Sequence, residues 1–116
     1  MGEIEVVRKY VNKITEMNKE FNEYVEKHPE MYIKLYSGGV IEGKISEYAR
    51  ENQEVISTFS VEVIERAMKA AQIVVEMMTG EAGYEEVKEI MARHVKVLEE
   101  MLDEVVELEG RCEIIE

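Results

Sequence analysis

Between Tyr84 and Leu108 the chain carries an apolar or partly apolar residue every three or four positions: Tyr84, Val87, Met91, His94, Leu98, Met101, Val105 and Leu108. On an α-helix that alternation draws a single seam, which has to be covered by neighbours. The opposite side is anionic. Glu99, Glu100, Asp103, Glu104, Glu107 and Glu109 follow one another with no base between Lys96 and Arg111. Such a helix commits the chain to helix-on-helix packing, and the other segments are read as its cover. The pattern starts near Gly83 and ends at Gly110, leaving a tail whose Cys112, Ile114 and Ile115 are candidates to dock on the core.

Residues 3 to 27 form a second helix. Its stripe is Ile4, Val7, Val11, Ile14, Phe21 and Val25, widened by Tyr10, Met17 and Tyr24. Asn18 falls on this seam, where a polar residue more often fixes helix register than carries chemistry. Pro29 ends the helix, because the residue before a proline is pushed out of helical geometry. A third helix runs from Ser60, a good N-cap, to about Thr79, with Gly80 as its stop. More than half of its circumference is apolar, so it is either central or part of a subunit interface. The short link from Gly80 makes the last two helices antiparallel neighbours.

Residues 31 to 45 break the helical pattern. Met31, Ile33 and Leu35 alternate with Tyr32, Lys34 and Tyr36, and after Ser37-Gly38-Gly39 the alternation resumes through Ile41, Gly43 and Ile45. Folding about that turn sets Leu35 opposite Ile41 and Lys34 opposite Glu42, so the expectation is a β-hairpin. Ile33-x-Leu35, Gly38, Gly43-x-Ile45 and Tyr48 resemble the first motif of the Sm-like RNA-binding family over residues 33 to 52. The sequence departs from that motif at Ala49, where an acid is usual, and at Asn52, which stands one place early. The resemblance implies strands and RNA binding. Residues 47 to 57 fit helix or strand.

The expected fold is mainly α over a single domain, residues 1–116: an antiparallel bundle of three to four helices with a small β-hairpin at about 31–45, or alternatively an all-α bundle. The chain has 26 acids against 14 bases, a net charge of −12. That charge repels phosphate backbones and anionic lipid, so neither nucleic acid nor membrane is an expected partner. A single cysteine precludes an intrachain disulfide, and no apolar run or signal-peptide shape appears, which points to the cytoplasm. Abundant Glu beside two glutamines and four asparagines hints at a thermophilic source.

Two constellations are candidate sites. Glu62 with Glu65, and Glu100 with Asp103, have the i,i+3 spacing that puts both carboxylates on one helix face. Four such groups between antiparallel helices can hold Mg²⁺ or Mn²⁺. The pairs are similar to the ExxE and ExxD motifs of the all-α nucleotide pyrophosphohydrolases of the MazG type, which implies metal-ligand roles for the four. Their separation, Glu65 to Glu100, is longer than that family's pattern. Roughly 6 acidic i,i+3 pairs arise by chance at this composition, and the chain has eight, so a solvated acidic face is the default. His94, on the last seam, is read as a core or interface histidine rather than a ligand, because no Glu-x-x-His accompanies it.

No nucleophile arrangement or phosphate loop is present. The leading expectation is therefore a non-enzymatic, self-associating interaction or scaffold protein with no cofactor. The alternative is a metal-dependent nucleotide pyrophosphohydrolase. Like charges at i,i+4 on the last helix repel, which suggests neutralisation by a basic protein partner or by cations.

Overall fold

The computed structural model describes the backbone of residues 2–115 and the side chains of residues 2–109. Five helices follow one another: α1 (Glu3–Lys27), α2 (Pro29–Leu35), α3 (Val40–Thr58), α4 (Val61–Met78) and α5 (Glu85–Ile115). Among the described residues there is no strand. The helical bundle expected from the sequence is present, in its all-α form, and no helix among the described residues is long and apolar enough to cross a membrane.

α5 is the axis. The molecule measures 53 × 22 × 20 Å, and a helix of 31 residues spans roughly 46 Å. Its predicted seam is the buried one: Val87, Leu98 and Met101 are inaccessible, Met91, His94 and Val105 nearly so, and Leu108 is partly buried. The helix passes through Gly110 to Ile115 instead of stopping there. A single glycine costs a helix ~1 kcal/mol, too little to end it without a cap. Cys112, Ile114 and Ile115 lie beyond the residues whose side chains are described, so their expected docking is outside that range.

α1 lies along one side of α5. Lys9 pairs with Glu104 at 2.7 Å, Lys13 with Glu100 at 3.5 Å and Glu20 with Arg93 at 2.9 Å. As one partner advances the other retreats, so the helices are antiparallel. The buried stripe of α1 is Val6, Tyr10, Ile14, Met17, Phe21 and Val25, turned from the expected one: Tyr10 and Met17 are core, while Ile4 is 74% exposed.

α4 returns along the other side of α5 through residues 79–84, where Gly80 and Gly83 take φ of 84° and 91°, a conformation glycine adopts without steric cost. Only Phe59 and Ser60 separate α3 from α4, with Phe59 in the left-handed region at φ 51°. α4 thus lies between α3 and α5. Its wide apolar face is explained inside the chain: Ile64, Ala67, Ala71 and Val74 are completely buried.

The expected hairpin at 31–45 is replaced by α2, a bend over residues 36–39 and the first turns of α3. Pro29 ends α1 but also opens α2, since proline's fixed φ and missing N–H suit the first helical position. Met31 and Leu35, one turn apart, are buried, and Tyr32 and Ile33 are left exposed at 56% and 67%. Alternation and helical spacing share Met31 and Leu35, so the sequence pattern did not separate them. From Ile45 onward Tyr48, Asn52 and Val55 form one buried helical face, which also removes the strands implied by the Sm-like resemblance.

Gly43 sits inside α3, exposed, with open space where a Cβ would stand. Gly43→Ala is expected to stabilise the protein by about 0.5–1 kcal/mol, read as a higher midpoint in urea unfolding. An unchanged or lower midpoint would count against a helix at this position.

Candidate functional site

Around the bundle α1 packs on α5, α5 on α4 and α4 on α3, and α2 links α1 to α3. The ring is not closed: α1 and α3 make little direct contact. A cavity of about 350 Å³ lies there, lined from α1, the end of α2, α3 and α5. Its floor is buried and includes Phe21, Tyr48, Asn52, Met91 and His94, while Asn22, Ala49 and Gln53 stand exposed at its mouth.

The floor is polar where a bundle interior is usually apolar. Tyr48 on α3 and His94 on α5 are joined across the interior by a 2.6 Å hydrogen bond between the Tyr48 hydroxyl and His94 Nδ1. Burial pushes the Tyr48 hydroxyl pKa up, so it stays protonated and donates. Nδ1 is then the acceptor and the ring's own proton sits on Nε2. Nε2 is buried with no hydrogen bond of ordinary geometry, although the Met17 carbonyl is close enough to favour a proton there. Burial pushes the His94 pKa down to about 4, opposed in part by the Met17 carbonyl, while the charge of Arg93 adds a lesser downward push. His94 is 1% exposed and neutral at neutral pH, a core histidine.

Asn52 is 2% exposed. Its Nδ2 donates to Asn18 Oδ1 at 3.2 Å, the one polar tie between α1 and α3 among the described residues. Its Oδ1 is buried without a partner, and an acceptor left in that state costs ~1–3 kcal/mol. Asn18, expected as a register residue, is thus half of a polar bridge between α1 and α3 that lines the cavity.

The four carboxylates named as candidate metal ligands, Glu62, Glu65, Glu100 and Asp103, lie apart from this cavity. Glu62 pairs with Arg66 at 3.3 Å, and the same Arg66 pairs with Glu51 at 3.2 Å and Glu54 at 3.7 Å, which places Glu62 on the α3 side of α4. Glu100 is drawn to Lys13 on the α1 side of α5. Glu65 and Asp103 are exposed. Among the described residues no three His, Cys, Asp or Glu side chains are grouped as a metal site. The repulsion noted on α5 is partly relieved within the chain, since Lys9 and Lys13 answer Glu104 and Glu100. Lys9 is also the main reason the Glu104 pKa is lowered.

Sequence reasoning singled out Asn18 and His94 but overlooked Tyr48 and Asn52 as their partners. The available signal was the i,i+4 spacing of Tyr48 and Asn52, matched by Asn18 and Asn22, once residues 40–58 are read as helix. Comparison of the chain with protein-family models, with curated proteins and with solved structures gave no match.

Because the unfolded chain protonates His94 near pH 6.5 and the folded chain only near pH 4, the unfolded state binds the extra proton between those values. Stability from this group is therefore complete above pH 6.5 and falls as the pH drops to about 4, by on the order of 3 kcal/mol. Urea unfolding of the wild type and His94→Gln from pH 8 to pH 4 should show a shallower fall in the variant. Parallel curves would refute this. Tyr48→Phe, which leaves Nδ1 buried and unpaired, is expected to cost ~1–3 kcal/mol at neutral pH in the same assay.

Proposed function

We propose that this chain is a binding protein rather than an enzyme, and that its ligand occupies the cleft between α1 and α3. The observation that carries the reading is the cavity of about 350 Å³ itself, lined by Asn18, Asn22, Asn52 and Gln53 and by no charged side chain. The cavity is of ligand-binding size, about 300–1,000 Å³ being usual. His94 is the lining group best suited to acid–base work, and a pKa near 4 with Nδ1 held by Tyr48 makes it a poor proton carrier at neutral pH.

The test is an NMR titration of the full chain with a panel of small uncharged amides, pyridines and aminopurines. Saturable shifts converging on Tyr36, Tyr48, Asn52 and His94, and lost in Ala49→Trp, support the reading. If no fragment at millimolar concentration gives such shifts, it fails. Replacing both bridge residues, Asn18→Leu with Asn52→Leu, is expected to leave stability unchanged or raise it, because both members of a buried hydrogen-bonded pair are exchanged for apolar groups. The same variant should lose fragment binding. A polar pair whose loss strongly destabilises the fold is a structural element, and that outcome would argue against a binding role.

Self-association is a second reading, carried by apolar side chains that the bundle leaves uncovered. Ile4 and Val106, 74% and 49% exposed, share one end of the antiparallel α1–α5 pair. Tyr32, Ile33 and Val40 are exposed around the α2–α3 bend. The occupant proposed for these patches is a second copy of the chain, whose charge of −12 makes pairing favoured by salt. Light scattering at low and high salt decides it: a mass of 13.5 kDa under all conditions ends this reading.

A further inference from the structure

The lining of the cleft restricts what can enter it, and the polar groups within a ligand's reach are those of its rim. Charged residues make up 34% of the chain, yet none lines the cavity. An ionised ligand would give up hydration for a site with no countercharge, inside a chain already at −12. Carboxamides take the place of charges: Asn18, Asn22, Asn52 and Gln53 are four of the six in the sequence. Asn52 is enclosed by the protein, and its part is to hold Asn18. Asn18 is partly exposed and keeps its second polar atom for the cavity, whichever way the bonded amides are turned. Asn22 on α1 and Gln53 on α3 face each other across the mouth, both exposed. Among the described residues neither of these two side-chain amides is hydrogen-bonded to the chain.

We infer that the cleft takes a neutral polyhydroxylated ring, a monosaccharide or cyclic polyol, lying between α1 and α3. This deepens the binding reading above and rests on it. Each carboxamide carries a donor and an acceptor, and an amide at the mouth is free to turn over. Amides that turn do not select a fixed donor–acceptor edge. They match hydroxyl groups, which also donate and accept and rotate to suit. Asn18 and Asn22 serve the hydroxyls on one side of the ring and Gln53 those on the other. Phe21, Tyr36 and Ile45 give the cavity apolar surface, which suits the carbon–hydrogen face of such a ring. A volume of about 350 Å³ is at the small end for ligand pockets, so it fits one ring and not a chain of them. Each hydroxyl trades water for an amide with little net gain, so dissociation constants in the millimolar range are expected.

The experiment is NMR titration of the full chain with D-glucose, D-galactose and myo-inositol, following the side-chain amide signals of Asn18, Asn22 and Gln53 and the ring of Tyr36. At least one of the three is expected to bind saturably and to shift these signals together. Its charged counterpart (glucuronate, galacturonate or inositol 1-phosphate) is expected to bind at least about tenfold more weakly. Cyclohexanol keeps the ring with one hydroxyl and is expected to lose about as much. Asn22→Leu with Gln53→Leu changes two exposed positions, so the core is undisturbed, and should weaken binding by about tenfold or more. Ala49→Trp, also exposed at the mouth, should block it.

Failure of all three rings to bind would overturn the inference, as would a charged counterpart or cyclohexanol binding as tightly, or either variant binding unchanged. If the rings fail while uncharged amides or pyridines still shift Tyr48 and His94, this inference is wrong and the binding reading stands. If no probe of either set binds, both are wrong.

Discussion

The bundle is organised by the need to cover the seam of α5, which α1 and α4 do directly. One stripe runs from Val87 through Leu98 to Val105, and burying side chains of this size contributes roughly 1.5–3 kcal/mol each. α1 takes one side of the stripe and α4 the other. Since α4 is already committed to α5, α3 attaches mainly to the remaining side of α4, and the α1–α3 edge is left without a strong apolar reason to close. α2 then holds the edge open at one end. Met31 and Leu35 are buried and fill the space between the end of α1 and the start of α3, where the two helices would otherwise converge.

Electrostatics reinforces this arrangement without causing it. The acids of α5 that face α1 meet Lys9 and Lys13, and Glu20 meets Arg93 further along. Part-exposed pairs of this kind are worth only ~0.2–1 kcal/mol each, far less than the apolar seam they flank. Their effect is on register. Sliding α1 along α5 by one turn would set Lys9 against Glu100 and Lys13 against Lys96, or Lys13 against Glu104 and Lys9 against Leu108, so only the present register satisfies both lysines. Arg66 on α4 does the same for α3 by engaging Glu51 and Glu54. Acidic residues that look gratuitous along one helix are therefore partly accounted for by bases on its neighbours.

How much of this was legible in the sequence depended on how long each pattern ran. The seam of α5 repeats over seven turns, and nearly every residue assigned to it is buried. In α1 the apolar residues are frequent enough to draw two overlapping stripes. The chain chose the one through Tyr10 and Met17, because the orientation is set by the partner and not by the helix itself. Residues 31–45 were misread for a local reason: Met31, Ile33, Leu35 and then Ile41 and Ile45 satisfy a period of two over too few residues to exclude a period near four. Proline at the first position of α2 was the overlooked discriminator. That misreading hid the site as well. With 31–45 as strands and 47–57 undecided, Tyr48 and Asn52 shared no face with Asn18 or His94, and the carboxylates on α4 and α5 drew the attention instead.

The polar floor of the cleft makes sense only as a local exception to the way the rest of the sequence is built. Elsewhere apolar residues go in, charges go out, and each exposed acid that matters for register has a base across from it. Between α1 and α3 a buried asparagine keeps an empty acceptor, and a histidine is held neutral well below its ordinary pKa. Four carboxamides gather in a chain that has six. Leucines at Asn18 and Asn52 would close the same edge by the interaction that holds every other edge of the bundle. A sequence that is consistent at all other levels tends to break its own rules where something besides folding is selected. Charge at the cleft would have given a salt-sensitive anion or cation site. The cleft carries carboxamides instead, with the Asn18–Asn52 bridge beside the Tyr48–His94 bond.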